Sequence, residues 1–247
     1  MEIPKIALLT TAVAVCLSAQ SSAQSIGVNF GENNATSTLP SSTAAGLVQQ
    51  TNFNNFTTGS LTNAALVSNN GQATTATLTL NGAGTYNAIR NPTPVPADGN
   101  EILNNGFVFG GSITLTVSNI PYPVFDLYIY QLLDPNASGS NRVTTTTVNG
   151  VSYYSTSPTA ASAGYIDGDA TTPYTYVPIT STDSASPTQG NYIRLQNLTG
   201  PNISFTATAP GNAGVNGFQI VAVPEPASAG LLALAALGFG ARRRRRA

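Results

Sequence analysis

Apolar and polar residues alternate with a period of two along most of the chain. In the run 124–130, Phe125, Leu127 and Ile129 share one face, while polar and aromatic residues occupy the other. The same alternation, in runs rich in β-branched and aromatic residues, predicts further strands. They cover residues 75–81, 112–118, 203–207 and 218–223. We predict no helix longer than two turns between Asn29 and Val223.

Short strands separated by turn residues are typical of a β-sandwich or a β-barrel. Asn70-Gly71 and Asn149-Gly150 are sequences that favour tight hairpin turns. The chain therefore predicts an all-β fold, and we expect a single sandwich over residues 24–222.

The N-terminus has the pattern of a secretory signal peptide. A single Lys5 precedes the apolar run 6–17, and small polar residues follow. We predict a signal helix within residues 1–23 and cleavage after Ala23, with Ala19 as the alternative site. Cys16 lies inside the apolar run, and Val15 before it is too bulky for a lipidation site. The mature chain would then contain no cysteine.

The C-terminus ends in an apolar segment and a cluster of arginines. Residues 227–241 carry no charge and would form a helix about 22 Å long, short for a bilayer core of about 30 Å. Five arginines follow and would stop transfer, with long stems that extend the anchor: Arg242, Arg243, Arg244, Arg245 and Arg246. We therefore predict a short transmembrane helix at 227–241, preceded by an extended peptide because prolines disfavour helix there.

This tail resembles the PEP-CTERM sorting signal over residues 223–247. The motif consists of Val223, Pro224, Glu225 and Pro226, followed by the apolar helix and the arginine cluster. The resemblance implies a Gram-negative bacterium whose exosortase recognises the motif, removes the tail and releases the protein to the cell surface or beyond. It also implies an association with exopolysaccharide and biofilm.

Composition excludes several functional classes. The chain has no His, no Trp and one Cys, so it cannot form a Ser-His-Asp triad, an imidazole metal site or an internal disulfide. Residues 24–222 retain three arginines and eight carboxylates, a net charge of −5. An acidic product is unsuited to nucleic acid, which we exclude as a partner.

The domain also resembles a β-sandwich module of planctomycete and verrucomicrobial PEP-CTERM proteins. Short motifs carry the resemblance in this order: IGVNF (26–30), VQQTNFNN (48–55), FDLYIY (125–130), GNYI (190–193) and VNGFQIV (215–221). That module often has Trp where Phe53 stands here. The resemblance implies a jelly-roll-like sandwich similar to galactose-binding domains.

One pair of carboxylates suggests a metal site. Asp167 and Asp169 flank a glycine and could both turn oxygens toward one Ca²⁺, although the spacing does not continue as an EF-hand. The alternative is a turn in which the Asp side chains cap their own backbone. Residues 98–101 are a weaker example of the same pattern. We expect no other cofactor.

Three functional interpretations follow. The first is a non-enzymatic surface or matrix protein. The second is a carbohydrate-binding module for exopolysaccharide, in which tyrosines stack on sugars: Tyr122, Tyr128, Tyr130, Tyr153 and Tyr154. The third is a glycoside hydrolase with paired carboxylates, which we disfavour because the chain lacks Trp platforms and its acids are scattered.

Overall fold

The computed structural model describes residues 24–88, 98–131, 142–157 and 174–224. Within them the chain forms thirteen strands in two sheets and one short helix, α1 (Gly99–Asn105). The strands are β1 (Ser25–Phe30), β2 (Asn54–Phe56), β3 (Ser60–Val67), β4 (Ala73–Asn81), β5 (Gly84–Asn87), β6 (Gly106–Ser118), β7 (Val124–Tyr130), β8 (Thr144–Val148), β9 (Val151–Thr156), β10 (Thr188–Gln189), β11 (Tyr192–Thr199), β12 (Ile203–Val215) and β13 (Gly217–Ala222).

The two sheets differ in size. The smaller sheet has the strand order β11-β7-β13-β1-β2. The larger has the order β10-β9-β8-β12-β6-β4-β3, with β5 attached to β6. The chain crosses between sheets repeatedly: β6 and β12 belong to the larger sheet, whereas their successors β7 and β13 belong to the smaller. These crossings tie the two sheets together.

The main apolar core lies between the sheets. Alternate residues of both sheets point into it, so that Phe205 of β12 meets Phe218 of β13 edge to face, with ring centroids 5.9 Å apart. Ile26, Leu127 and Leu115 are fully buried in the same cluster. The all-β prediction is confirmed, and the two open sheets are consistent with a sandwich.

The strand predictions from periodicity are confirmed. The predicted run 124–130 is β7, and the other predicted runs fall within or largely overlap β4, β6, β12 and β13. Asn149-Gly150 joins β8 to β9 with φ of 49° and 78°, the left-handed conformation that a two-residue hairpin turn requires. Gly71, with φ of 78°, lies in the connection between β3 and β4.

A second apolar cluster covers the outer face of the smaller sheet. The segment 31–53 and α1 supply Leu39, Phe53 and Leu103, which pack with Tyr130 and other outward residues of the sheet. Position 27 of β1 requires glycine, because a Cβ atom there would lie only 2.7 Å from the Phe53 ring. The three central strands of the smaller sheet, β7, β13 and β1, are therefore buried on both faces.

Truncating the inter-sheet ring pair tests this architecture. We expect Phe205→Ala to lower the free energy of unfolding by about 3–5 kcal/mol, because it leaves a cavity between the sheets. Thr208→Ala, on the outward face of the same strand, should cost less than about 1 kcal/mol. Urea unfolding of both variants measures the difference, and equal losses would contradict the inward assignment of Phe205.

Candidate functional site

The predicted sorting motif begins where the smaller sheet ends. Ala222, the last residue of β13, donates its N–H to the carbonyl of Gln24 at 2.8 Å. Val223 still donates to the carbonyl of Val124 at 3.0 Å, and Pro224 is exposed. The motif therefore follows the folded sheet with no linker between them.

A family model of the PEP-CTERM protein-sorting motif matches residues 222–245. The chain carries a PEP-CTERM protein-sorting motif. It implies an exported protein that an exosortase processes at the cell envelope. The recognition of this motif from sequence is confirmed. No curated protein and no solved structure matches the chain.

Several predicted positions lie outside the described residues. They are the cleavage site Ala23, the motif residues Glu225 and Pro226, the carboxylates Asp167 and Asp169, and the arginines 242–246. The predicted signal helix and the predicted apolar helix at 227–241 lie outside as well. Among the described residues, no helix has the length and apolar character needed to cross a bilayer.

The end of the sandwich from which the motif emerges is formed by four turns. We define this tail end by residues 68–72, 119–123, 149–150 and 199–202, together with Gln24 and Val223. Hydrogen bonds connect its parts: Asn69 N–H donates to the Ser25 carbonyl at 2.8 Å, and Ile120 N–H donates to the Pro201 carbonyl at 2.8 Å. None of the four turns contains an Asp, Glu, Lys or Arg residue.

The structure corrects the choice of sugar-stacking tyrosines. Tyr128 and Tyr130 do face away from the inter-sheet core, as predicted, but the second cluster buries them to 6% and 0% exposure. Tyr122 is also buried, and Tyr153 packs against the main core. Only half-buried Tyr154, among the five tyrosines considered, lies on an outer face clear of both clusters.

A buried polar network attaches segment 31–53 to the smaller sheet. The Tyr130 hydroxyl donates to Gln219 Oε1 and accepts from Leu47 N–H at 2.9 Å. Gln219 Nε2 donates to the Val48 carbonyl at 2.8 Å and to Gln50 Oε1 at 2.9 Å. These bonds satisfy polar groups that the second cluster removes from water. These residues are structural, and no local pattern in the sequence predicted that they would meet.

The one ion pair found among the described residues also lies on this face. Arg194 Nη2 contacts Asp126 Oδ2 at 2.8 Å, and the guanidinium lies 5.3 Å from the centre of the Tyr128 ring. Asp126 Oδ1 accepts the Asn197 N–H at 3.0 Å. Burial raises the pKa of Tyr128, against the opposing effect of the Arg194 charge. The guanidinium covers the ring, which is unavailable for stacking on a ligand.

Asp98 caps a helix. Its Oδ1 accepts from Asn100 N–H at 2.9 Å and its Oδ2 from Tyr174 N–H at 3.2 Å. Glu101 follows three residues later, the spacing of a capping box, so the sequence did contain a signal for α1. Within the described residues, no group of three or more Asp, Glu, His or Cys side chains could hold a metal ion.

The outer face of the larger sheet is lined with hydroxyl groups. None of its eight strands contains a charged residue. Outward side chains form rows across β4, β6, β8 and β12, and we call this surface the hydroxyl face: Thr79, Thr114, Thr116, Thr145, Thr147, Ser204, Thr206 and Thr208. Neighbours share hydrogen bonds, as between Thr116 and Ser204 at 3.0 Å. Sequence analysis predicted the alternation of apolar and polar residues within strands, but not the alignment of threonines across the sheet.

A small polar cavity lies between β8, β9 and β12. Its volume is about 10 Å³, room for roughly one water molecule, and its lining consists of Gln131, Thr144, Ser155, Ser157, Gly190 and Gly214. Gln131 Nε2 donates to Ser155 Oγ at 2.8 Å. A cavity of this size is suited to a structural water rather than a sugar or cofactor.

A group of tyrosines has strongly shifted pKa values. Burial raises the pKa of Tyr130, Tyr174 and Tyr176 well above 10, and it raises the pKa of Tyr122 to about 12. The neighbouring Tyr176 ring, whose centroid is 5.3 Å away, adds to the rise at Tyr130. Each folded-state pKa therefore exceeds the unfolded value near 10.

These shifts predict a loss of stability in alkali. Below about pH 9 both states keep the tyrosyl protons, whereas above about pH 10 the unfolded chain releases them first, so the free energy of unfolding falls. Tyr130→Phe should reduce this slope and cost about 1–3 kcal/mol at neutral pH, because Leu47 N–H and Gln219 Oε1 lose a partner. Urea unfolding across pH measures both effects. Tyr154→Phe is the control, and an unchanged slope in Tyr130→Phe would contradict the assignment.

Proposed function

We propose that this protein is a non-enzymatic cell-surface or extracellular-matrix protein of a Gram-negative bacterium, held at the membrane by its tail until an exosortase processes it. The direct passage of β13 into the motif carries this proposal: Val223 is still bonded to Val124, and Pro224 is exposed. A folded domain joined without a linker to a removable tail is arranged for display and then release.

The proposed anchor is the apolar segment 227–241. As a helix it would be shorter than the bilayer core, but the five arginines after it would remain on the cytoplasmic side and extend its effective length. We infer that exosortase is a transient partner and that the anchor is temporary.

The absence of catalysis is inferred from the roles of the carboxylates. Asp98 accepts hydrogen bonds from two backbone amides, and Asp126 is engaged by Arg194 and by the Asn197 amide. Both are the roles of structural carboxylates. Glycoside hydrolysis would require two free acids that face each other across a cleft. Asp98 and Asp126 do not form such a pair.

The sandwich itself is proposed to be jelly-roll-like and similar to galactose-binding domains. The support is the repeated change of sheet along the chain, from β6 to β7 and from β11 through β12 to β13. Jelly rolls are built from strands that cross between two sheets in this way.

The second candidate function is carbohydrate binding, and the hydroxyl face favours it. A flat neutral polysaccharide offers hydroxyls that can exchange hydrogen bonds with Thr116, Thr206 and their neighbours without any charge being desolvated. The occupant would be uncharged exopolysaccharide. We also propose that Asp167 and Asp169 bind Ca²⁺.

Processing is tested by the intact mass of the native exported protein. We expect a species that lacks both the signal peptide and the arginines 242–246. Replacing Pro224, Glu225 and Pro226 with alanine should leave the full tail in place and keep the protein in the membrane fraction. Asp183→Ala, an exposed carboxylate in the domain, is the control. An extracellular species that still carries the arginines would overturn the proposal.

Carbohydrate binding is tested by titrating the exported protein with the producing organism's neutral exopolysaccharide. The double variant Thr116→Val, Thr206→Val keeps the side-chain shape but loses two hydroxyls, so we expect binding to weaken about tenfold or more. Thr58→Val, away from the hydroxyl face, should have no effect. Loss of binding in EDTA would assign a role to Asp167 and Asp169. No saturable binding to the unaltered protein would remove this second candidate.

A further inference from the structure

We propose that the tail end of the sandwich lies against the outer lipid headgroups while the tail is still attached. The inference rests on the proposed anchor at 227–241 and adds an orientation for the domain. The partner is the bilayer surface, and the contact surface is the set of four turns defined above.

The length of chain between sheet and anchor sets the distance. Val223 is bonded to Val124 at 3.0 Å, and only Pro224, Glu225 and Pro226 separate it from the apolar segment. Three extended residues span about 10 Å at most. The headgroup layer on one side of a bilayer is itself about 5–8 Å thick. The first turns of the folded domain therefore reach the headgroups.

The chemistry of the tail end suits this position. The exposed residues of its turns are Asn, Gln, Gly, Pro and Thr, and their amides can exchange water for headgroup oxygens at little cost. A charged side chain there would lose hydration near the low-dielectric interior. Val151, 43% exposed, follows the 149–150 turn and is the one exposed large apolar side chain among the described residues. It can insert into the headgroup layer.

The opposite end of the sandwich differs in charge. Glu32 follows β1 there, Asp98 precedes α1, and Arg142 precedes β8. β6 runs the length of the sandwich between the two ends, and its 13 residues span about 40 Å. The charged end is thus held far from the membrane, and the uncharged end adjoins it.

Site-specific fluorophores test this orientation on the full-length protein with its tail. Single cysteines at Gln72→Cys (tail end) and Ala83→Cys (opposite end), in a Cys16→Ala background, carry an environment-sensitive dye. The protein is reconstituted into vesicles of phosphatidylethanolamine and phosphatidylglycerol that contain headgroup spin-labelled lipid. We expect at least twofold stronger quenching at position 72 than at position 83.

The outcomes separate the orientation from the anchor. Failure of the protein to float with the vesicles would overturn the anchor itself. Vesicle-bound protein with equal quenching at both positions would overturn the orientation alone. A flexible Gly-Ser insert between Val223 and Pro224, longer than the headgroup layer is thick, should abolish the difference while flotation persists. Persistence of the difference would show that chain length does not hold the domain there.

Discussion

The antiparallel pairing of β1 with β13 is the constraint on which the other features depend. It sets Ser25 opposite Val221 and Val28 opposite Phe218, so the beginning and the end of the domain lie side by side. The same register sends Phe218 into the inter-sheet core and leaves Gln219 facing outward. The first strand after the predicted signal peptide and the last strand before the sorting motif therefore stabilise one another.

The outward side of this pair requires a covering layer. Gln219 and Tyr130 are polar groups at the centre of a sheet, and each buried donor or acceptor must find a partner. Segment 31–53 supplies them through the Leu47 N–H and the Val48 carbonyl. Gly46, with φ of 89°, approaches Gln219 so closely that a side chain there would collide with it. The second cluster is therefore a consequence of the polar residues in the central strands.

Periodicity predicted the strands well because each strand's alternation is local. The run at β7 was found in full, and Asn149-Gly150 was correctly assigned to a turn. Periodicity could not predict that segment 31–53 covers the outer face of the smaller sheet. The pattern of β7 is the same whether Tyr128 and Tyr130 face water or that segment. Helix α1 was not predicted for a different reason. Asp98 and Glu101 were interpreted as a weak cation site, although their spacing fits a capping box equally well. The sorting motif was recognised because its elements are contiguous in the sequence.

An uncharged larger sheet raises the question of how exported copies avoid pairing at their edges. Charged residues commonly protect edge strands, yet Arg194 in β11 is the one charged residue on any of the four edges. The edge strands are instead protected by their short length or by shifts in their register. β2 and β10 have three and two residues, and the register of β3 and β11 shifts along their lengths. Because the edges are protected in this way, the hydroxyl face can remain uncharged without making the larger sheet a template for aggregation.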